Sequence, residues 1–255
     1  MKGTIINPSI SPNLQETYNE QYNEHSTRWR ELGGKYKAQN ILELCQNFKF
    51  NKVLELGAGE GSILKYLDEY NFCKELHALE IDKSGIEFIK KRKLNLVKSV
   101  QQFNGYDIPF KDNCFDLLIL SHVIEHVEFP RYLLREIKRV STYQIAEIPC
   151  DFTFNVDKKV EYFLSYGHIN IYIPTLLRFL LKSEGFEIIK DKLSLMASEV
   201  MEYSYYMNNK KHKTFLENIK LNLLIIKNRM SFILASKEKK QLKASAYTVL
   251  CKNTH

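Results

Sequence analysis

From about residue 36 to residue 192 the chain alternates between two kinds of hydrophobic pattern. Short apolar runs suit strands, and between them apolar residues recur every three or four positions, as on one face of a helix. Residues 35–48 carry Ile41, Leu42, Leu44 and Cys45 and read as an amphipathic helix. Strands are predicted at 52–56, 75–80, 97–103, 115–121, 143–148, 186–191 and 244–251. Helices are predicted at 62–70, 83–93, 130–140 and 175–183, the last led by Pro174 and stopped by Gly185. The run Leu117-Leu118-Ile119-Leu120 suits a strand buried on both faces. Such alternation predicts an α/β fold with a mostly parallel, doubly wound sheet.

Some segments stand outside this rhythm. Residues 1–20 are polar and contain Pro8 and Pro12, so they read as a loosely ordered lead-in. Tyr18, Tyr22, Arg28, Trp29 and Arg30 follow in a helix-like stretch that Gly33-Gly34 is expected to break. Residues 150–173 are long for a strand-to-helix connection, and residues 193–243 separate the last two strands and hold a helix of their own near 213–235. Connections of this length are usually functional or disordered. The expected division is a lead and cap helix at 1–35, a core at 36–192, a helical insert at 193–243 and a final strand with tail at 244–255.

Composition narrows the class. Of the 255 residues, 44% are hydrophobic and 26% charged, as in ordinary globular proteins. Five scattered cysteines without a C-x-x-C pair argue against a disulfide framework or a zinc site and fit a reducing cytoplasm. The first residues lack the apolar core of a signal peptide, and the run 221–235 is too short and too charged to span a bilayer. The net charge of +7 is concentrated in residues 210–243, where ten Lys and Arg face only Glu217 and Glu238. A solvated helix face explains this, as does attraction to an anionic substrate or to nucleic acid.

The chemistry centres on Val53-Leu54-Glu55-Leu56-Gly57-Ala58-Gly59-Glu60-Gly61. A strand runs into three glycines at alternate positions and then into a helix. Glycine allows positive φ and close approach of backbone to ligand, so the turn suits a nucleotide or nucleoside. Glu80, about 20 residues on, ends the second strand, where a carboxylate can accept both ribose hydroxyls. Neither feature separates NAD from S-adenosylmethionine.

The combination does. Glu55 to Gly61, then Glu80-Ile81-Asp82, Ile108-Pro109-Phe110, Phe115-Asp116-Leu117-Leu118 and Ser121-His122-Val123-Ile124-Glu125-His126 resemble the class I S-adenosylmethionine-dependent methyltransferases, most closely the small-molecule branch typified by ubiquinone and menaquinone biosynthesis enzymes. The resemblance covers about residues 36–192 and the last strand. It implies a seven-stranded Rossmann-like sheet of order 3-2-1-4-5-7-6 with the last strand antiparallel, capped by the N-terminus and by the insert between strands 6 and 7. It implies S-adenosylmethionine as cofactor and S-adenosylhomocysteine as product. Gly57, Ala58 and Gly59 would pass close to the methionine part, and Glu55 would hold its ammonium or fix the turn. Glu80 would bind the ribose diol and Ile81 would lie on one adenine face. The family places an aspartate against the adenine amino group where this chain has Asn104. The Asn104 carboxamide oxygen can still accept that hydrogen bond, with Gly105 donating from its backbone. Ser121 and His122 would stand at the methionine end.

Methyl transfer from a sulfonium needs alignment and exclusion of water, with a base only for a hydroxyl or protonated amine acceptor. His168 in Tyr-Gly-His-Ile-Asn resembles the family segment lining the acceptor pocket and is the preferred base, with Tyr166 beside it. Tyr22, Arg28, His126, Asp151 and Tyr203 complete the expected acceptor pocket, and no metal is expected. The favoured function is methylation of an oxygen or nitrogen of a small metabolite, with an anionic acceptor such as a phosphorylated or nucleotide-linked sugar suggested by the basic insert. An RNA methyltransferase gripping phosphates with residues 210–243 is the alternative, although no recognisable RNA-binding module is present. Pro149-Cys150 has a counterpart in RNA 5-methylcytosine enzymes, but those also carry a cysteine after the fourth strand, where this chain has Ser121-His122. A non-catalytic scaffold is the remaining class, and intact Gly57, Gly59 and Glu80 argue against it. No membrane partner is expected, and the protein is expected as a cytoplasmic monomer or homodimer.

Overall fold

The computed structural model describes residues 24–152, 156–207 and 211–254. Seven strands form one sheet in the order β3-β2-β1-β4-β5-β7-β6. They are β1 (Lys52–Leu56), β2 (Glu75–Glu80), β3 (Val97–Gln102), β4 (Phe115–Ser121), β5 (Ser141–Pro149), β6 (Phe186–Ser194) and β7 (Ala246–Asn253). The first five are parallel, and β7 runs antiparallel to both β5 and β6. The order reverses between β1 and β4, whose carboxyl ends therefore open onto one crevice. Ligands of open α/β sheets bind at such a switch point. Two hydrophobic clusters, one containing Leu54, Leu56, Leu118 and Leu120 and the other Val53, Leu117 and Ile119, show that β1 and β4 bury alternate residues on opposite faces.

The helices are α1 (Glu24–Cys45), α2 (Ser62–Glu69), α3 (Lys83–Arg92), α4 (Pro130–Val140), α5 (Val160–Ser165), α6 (Pro174–Ser183), α7 (Ser198–Met207), α8 (Phe215–Ile233) and α9 (Lys237–Gln241). Pro130 and Pro174 stand in the first turns of α4 and α6, where a missing N–H costs nothing. Strand ends differ from the pattern by up to three residues, chiefly at β6. Its last residues pair with β7 as far as Ser194↔Ala246, a ladder that an edge strand's mixed burial does not announce.

Gly33-Gly34 does not break α1, which runs unbroken through 22 residues. A Cβ on Gly34 would stand 2.6 Å from Ser62 Cβ and 2.8 Å from the Ser62 carbonyl carbon. The glycine lets α1 cross the start of α2 at short range, and tertiary packing outweighs its poor helix propensity. The expected boundary at 35/36 therefore falls inside one helix. Its second half sends Ala38, Ile41, Leu44 and Cys45 into the core, while its first half reaches over the crevice.

An ion network fastens that first half. Arg30 Nε lies 3.0 Å from Glu60 Oε2, and Arg92 contacts Glu60 and Glu31, which also holds Lys65 at 2.6 Å. From the insert, α7 packs on α1, with Trp29 Nε1 donating to Ser204 Oγ at 3.2 Å and Lys35 Nζ 3.3 Å from Glu199. The following α8 is mostly exposed. Its neighbouring lysines are taken up locally: Lys211 and Lys220 by Glu217, and Lys213 by Glu202. Among the described residues, no helix is long and apolar enough to cross a membrane.

Candidate active site

A cavity of about 960 Å³ occupies the crevice, walled by α1, the turns after β1, β2, β4 and β5, and the residues from the end of β6 into α7. The β1–α2 turn forms one end. Gly57, Gly59 and Gly61 have φ of 69°, 55° and 77°. A Cβ on Gly57 would meet Val123 Cγ2 at 2.6 Å, so glycine is needed there both for its dihedral and for space. The Gly57 N–H donates to the Leu79 carbonyl at 2.8 Å, tying the turn to the end of β2.

Glu80 braces the same turn. Its Oε2 accepts from the Gly59 N–H at 2.6 Å, and Oε1 accepts from Ile81 and Asp82 N–H at 2.8 and 3.1 Å. Burial pushes its carboxyl above the usual range, and these three amides oppose the shift. Each carboxylate oxygen has two acceptor sites, so Oε2 keeps one. Glu55, only 3% exposed, has an Oε2 with no hydrogen-bond partner. Burial raises its carboxyl to about 8, against the pull of nearby Lys37. A buried carboxylate oxygen without a donor, beside a glycine cradle and a second carboxylate, fits a ligand that brings both an ammonium and a ribose. Those are the polar groups of S-adenosylmethionine.

A second group of polar lining residues is built after β4 and β5, where Val123 packs against Gly57. His122 adopts φ 54°, an unusual value for a side-chain-bearing residue, and its N–H donates to the Glu147 carbonyl at 2.9 Å. Its ring lies between two carboxylates, Nδ1 3.6 Å from Glu125 Oε1 and Nε2 3.5 Å from Glu147 Oε1. Glu147 also accepts from Ser121, Asn40 and Thr248. Burial works against its ionisation, but His122, Lys37 and Thr248 hold it at about 2. His126 follows on a short 3₁₀ turn, with Nδ1 2.9 Å from the Gly167 carbonyl, and burial lowers its pKa. His168 Nδ1 lies 2.9 Å from Asp151 Oδ2. The two imidazoles meet edge to face with centroids 4.7 Å apart.

Most residues singled out from the sequence converge on this cavity: Glu55, Gly57, Ala58, Gly59, Glu80, Ile81, Gly105, Ser121, His122, His126, Tyr166 and His168 line it. Others do not. Asn104 spends its Oδ1 on the N–H groups of Tyr106 and Asp107, and its amide contacts Asp107, so it shapes the loop that presents Gly105. Arg28 points to solvent from the outer side of α1, and Tyr203 lies on α7 outside the lining. Asp151 lies outside the lining and reaches it only through its contact with His168. Tyr22 lies outside the described residues. Cys150 is buried, with its thiol pushed up to about 12 by that burial, an environment that suppresses nucleophilicity.

Lys37, Asn40 and Glu147 escaped the sequence reading. Lys37 and Asn40 sit on a helix whose pattern shows only its core face. Glu147 gave a signal, because it is the single charge within the apolar run of β5.

Comparison with known proteins bears on the fold and on residues 54–142. The family described as "methyltransferase domain" matches residues 54–142, from β1 to the start of β5. An uncharacterized protein of Methanocaldococcus jannaschii is 34% identical over 100 residues, covering 39% of this chain and 40% of that relative. The chain therefore aligns with less than half of that relative's length. A SAM-dependent methyltransferase of Archaeoglobus fulgidus superposes with a TM-score of 0.58 at 17% identity, over 90% of this chain and 98% of that one. One of Thermotoga maritima gives 0.60 at 16%, over 94% and 100%. At these identities the two structures bear on the fold, and the sequence match bears on the segment that builds the cavity. Residues 54–142 thus match a methyltransferase domain, on a sheet with the strand order expected of a Rossmann-like methyltransferase fold.

Proposed function

We propose that this protein methylates an oxygen or nitrogen of a small molecule. When bound, S-adenosylmethionine supplies a methyl group on a positively charged sulfur. Gly57 and Gly59 let backbone approach it, Glu55 receives its ammonium, and Glu80 receives a ribose hydroxyl on the acceptor site left open by its three amides. His168 handles the acceptor. With Nδ1 held by Asp151, its Nε2 is the atom left to orient the acceptor or take its proton. Tyr166 closes the same wall.

The observation that carries the proposal is one cavity lined by the glycine turn, by the buried carboxylates Glu55, Glu80 and Glu147 and by the imidazoles of His122, His126 and His168, with α1 and α7 contributing to its walls. A cavity of about 960 Å³ favours a cofactor with a small acceptor over a polymer. Arg229 and Lys37, both in the lining, offer footholds for an anionic acceptor. RNA gains little, because among the described basic residues of 211–243 only Arg229 lines the cavity. We place the activity in the cytoplasm, in keeping with five unpaired cysteines.

Acceptor screening by methyl incorporation from labelled cofactor tests the proposal. His168→Ala is expected to abolish turnover while leaving S-adenosylhomocysteine affinity intact. Full turnover in that variant would remove His168 from the chemistry.

A further inference from the structure

We propose that Glu125, His126 and His168 form a binding site for a divalent transition cation in the wall of the cavity. One ligand atom from each residue lies within 4.8 Å of the other two. Three donors on one cation, with bonds of about 2.1 Å, stand about 3.4 Å apart in tetrahedral geometry. The trio lies within reach of that spacing.

Three features separate this group from a chance cluster. Glu125 is only 1% exposed, and neither of its carboxylate oxygens accepts a hydrogen bond. A buried carboxylate in that condition is costly unless a cation approaches it. The basic groups facing it, His122 Nδ1 at 3.6 Å and the more distant Lys37, stop short of hydrogen bonding. Secondly, both histidines are fixed through Nδ1, His168 on the Asp151 carboxylate and His126 on the Gly167 carbonyl. Metal-bound histidines are held in this way, the ring nitrogen away from the metal donating to a carboxylate or carbonyl. Thirdly, His126 and His168 line the cavity, so positions on the cation not filled by protein would face the acceptor. Two imidazoles and one carboxylate suit Zn²⁺, Co²⁺ or Mn²⁺ better than Mg²⁺, which prefers oxygen.

The cation site stands on these residues alone. Its use, to hold and polarise an oxygen of the acceptor, rests on the methyl-transfer reading. In that role His168 is a ligand and acts on the acceptor through the cation.

The test is titration of chelator-treated full-length protein with Co²⁺, read by its visible d–d absorption, with Zn²⁺ competition and a parallel Mg²⁺ titration. One equivalent of Co²⁺ should bind and be displaced by Zn²⁺, with no comparable response to Mg²⁺. Glu125→Gln and His168→Ala should each abolish the site, and Asp151→Asn should weaken it about 10- to 100-fold by releasing the His168 ring. S-adenosylhomocysteine affinity, measured in the same samples, should be unchanged and so show that the variants are folded. If Glu125→Gln fails to fold, His168→Ala in its surface-facing loop decides. Absence of Co²⁺ binding, or equal binding in the folded variants, overturns the site. Glu125-dependent Co²⁺ binding without S-adenosylhomocysteine binding would overturn the methyl-donor reading and leave the site standing.

Discussion

Glu80→Gln is the substitution from which most can be learned, because the carboxylate serves two tasks. It accepts three backbone N–H groups, from Gly59, Ile81 and Asp82, and it is expected to accept a ribose hydroxyl. A carboxamide has one oxygen. That oxygen can keep the Ile81 and Asp82 bonds, which turns the NH₂ toward the Gly59 N–H, donor against donor. One charge-assisted hydrogen bond is lost at about 1.5–3 kcal/mol. In thermal unfolding this corresponds to a fall in Tm of about 3–12 °C for a chain of this size. The ribose loses its anionic acceptor as well, and a further loss of similar size weakens cofactor binding roughly 10- to 150-fold. Calorimetric titration with S-adenosylhomocysteine, beside a melting curve without ligand, separates the two tasks. A Tm loss with affinity kept within about threefold, or about 0.6 kcal/mol, would assign Glu80 to the turn alone and refute its contact with the ribose.

Three further outcomes are expected. Glu55, raised to about 8, is protonated at pH 7, so receipt of an ammonium should release a proton. Binding enthalpy at pH 7 should then vary with buffer ionisation enthalpy in the wild type but not in Glu55→Gln. Glu147 lies below its ordinary value of 4.5, at about 2, so its stabilisation is complete above pH 4.5 and is lost as pH falls toward 2. Glu147→Gln should cost on the order of 3 kcal/mol at pH 7 and flatten the acid limb of stability against pH, as denaturant titrations at several pH values would show. Gly57→Ala combines a left-handed dihedral with a contact to Val123 Cγ2, and should cost about 2–4 kcal/mol in denaturant unfolding and weaken cofactor binding.

Much of this was legible in the residue pattern. Strands buried on both faces, such as β4, announce themselves as unbroken apolar runs, and the glycine turn with Glu80 marked one end of the cavity. Local signals failed where distant packing decides. Gly33-Gly34 has the composition of a break, yet Ser62 lies so close that glycine is what allows the helix to dock. Asn104 matched the adenine position by count, but its side chain prefers the amides two and three residues ahead, a competition common to Asn in turns. The cluster of Lys37, His122, Glu125 and Glu147 draws on α1, the turn after β4 and the end of β5. Only the parallel order of the sheet brings those segments together.

The most direct measurement is calorimetric titration of the purified protein with S-adenosylhomocysteine. Saturable binding at one site per chain is predicted, weakened by Glu80→Gln and by Gly57→Ala and untouched by His168→Ala. No binding of either S-adenosylhomocysteine or S-adenosylmethionine to the folded protein would contradict it, and the glycine turn with its two buried carboxylates would then be scaffold rather than cofactor site.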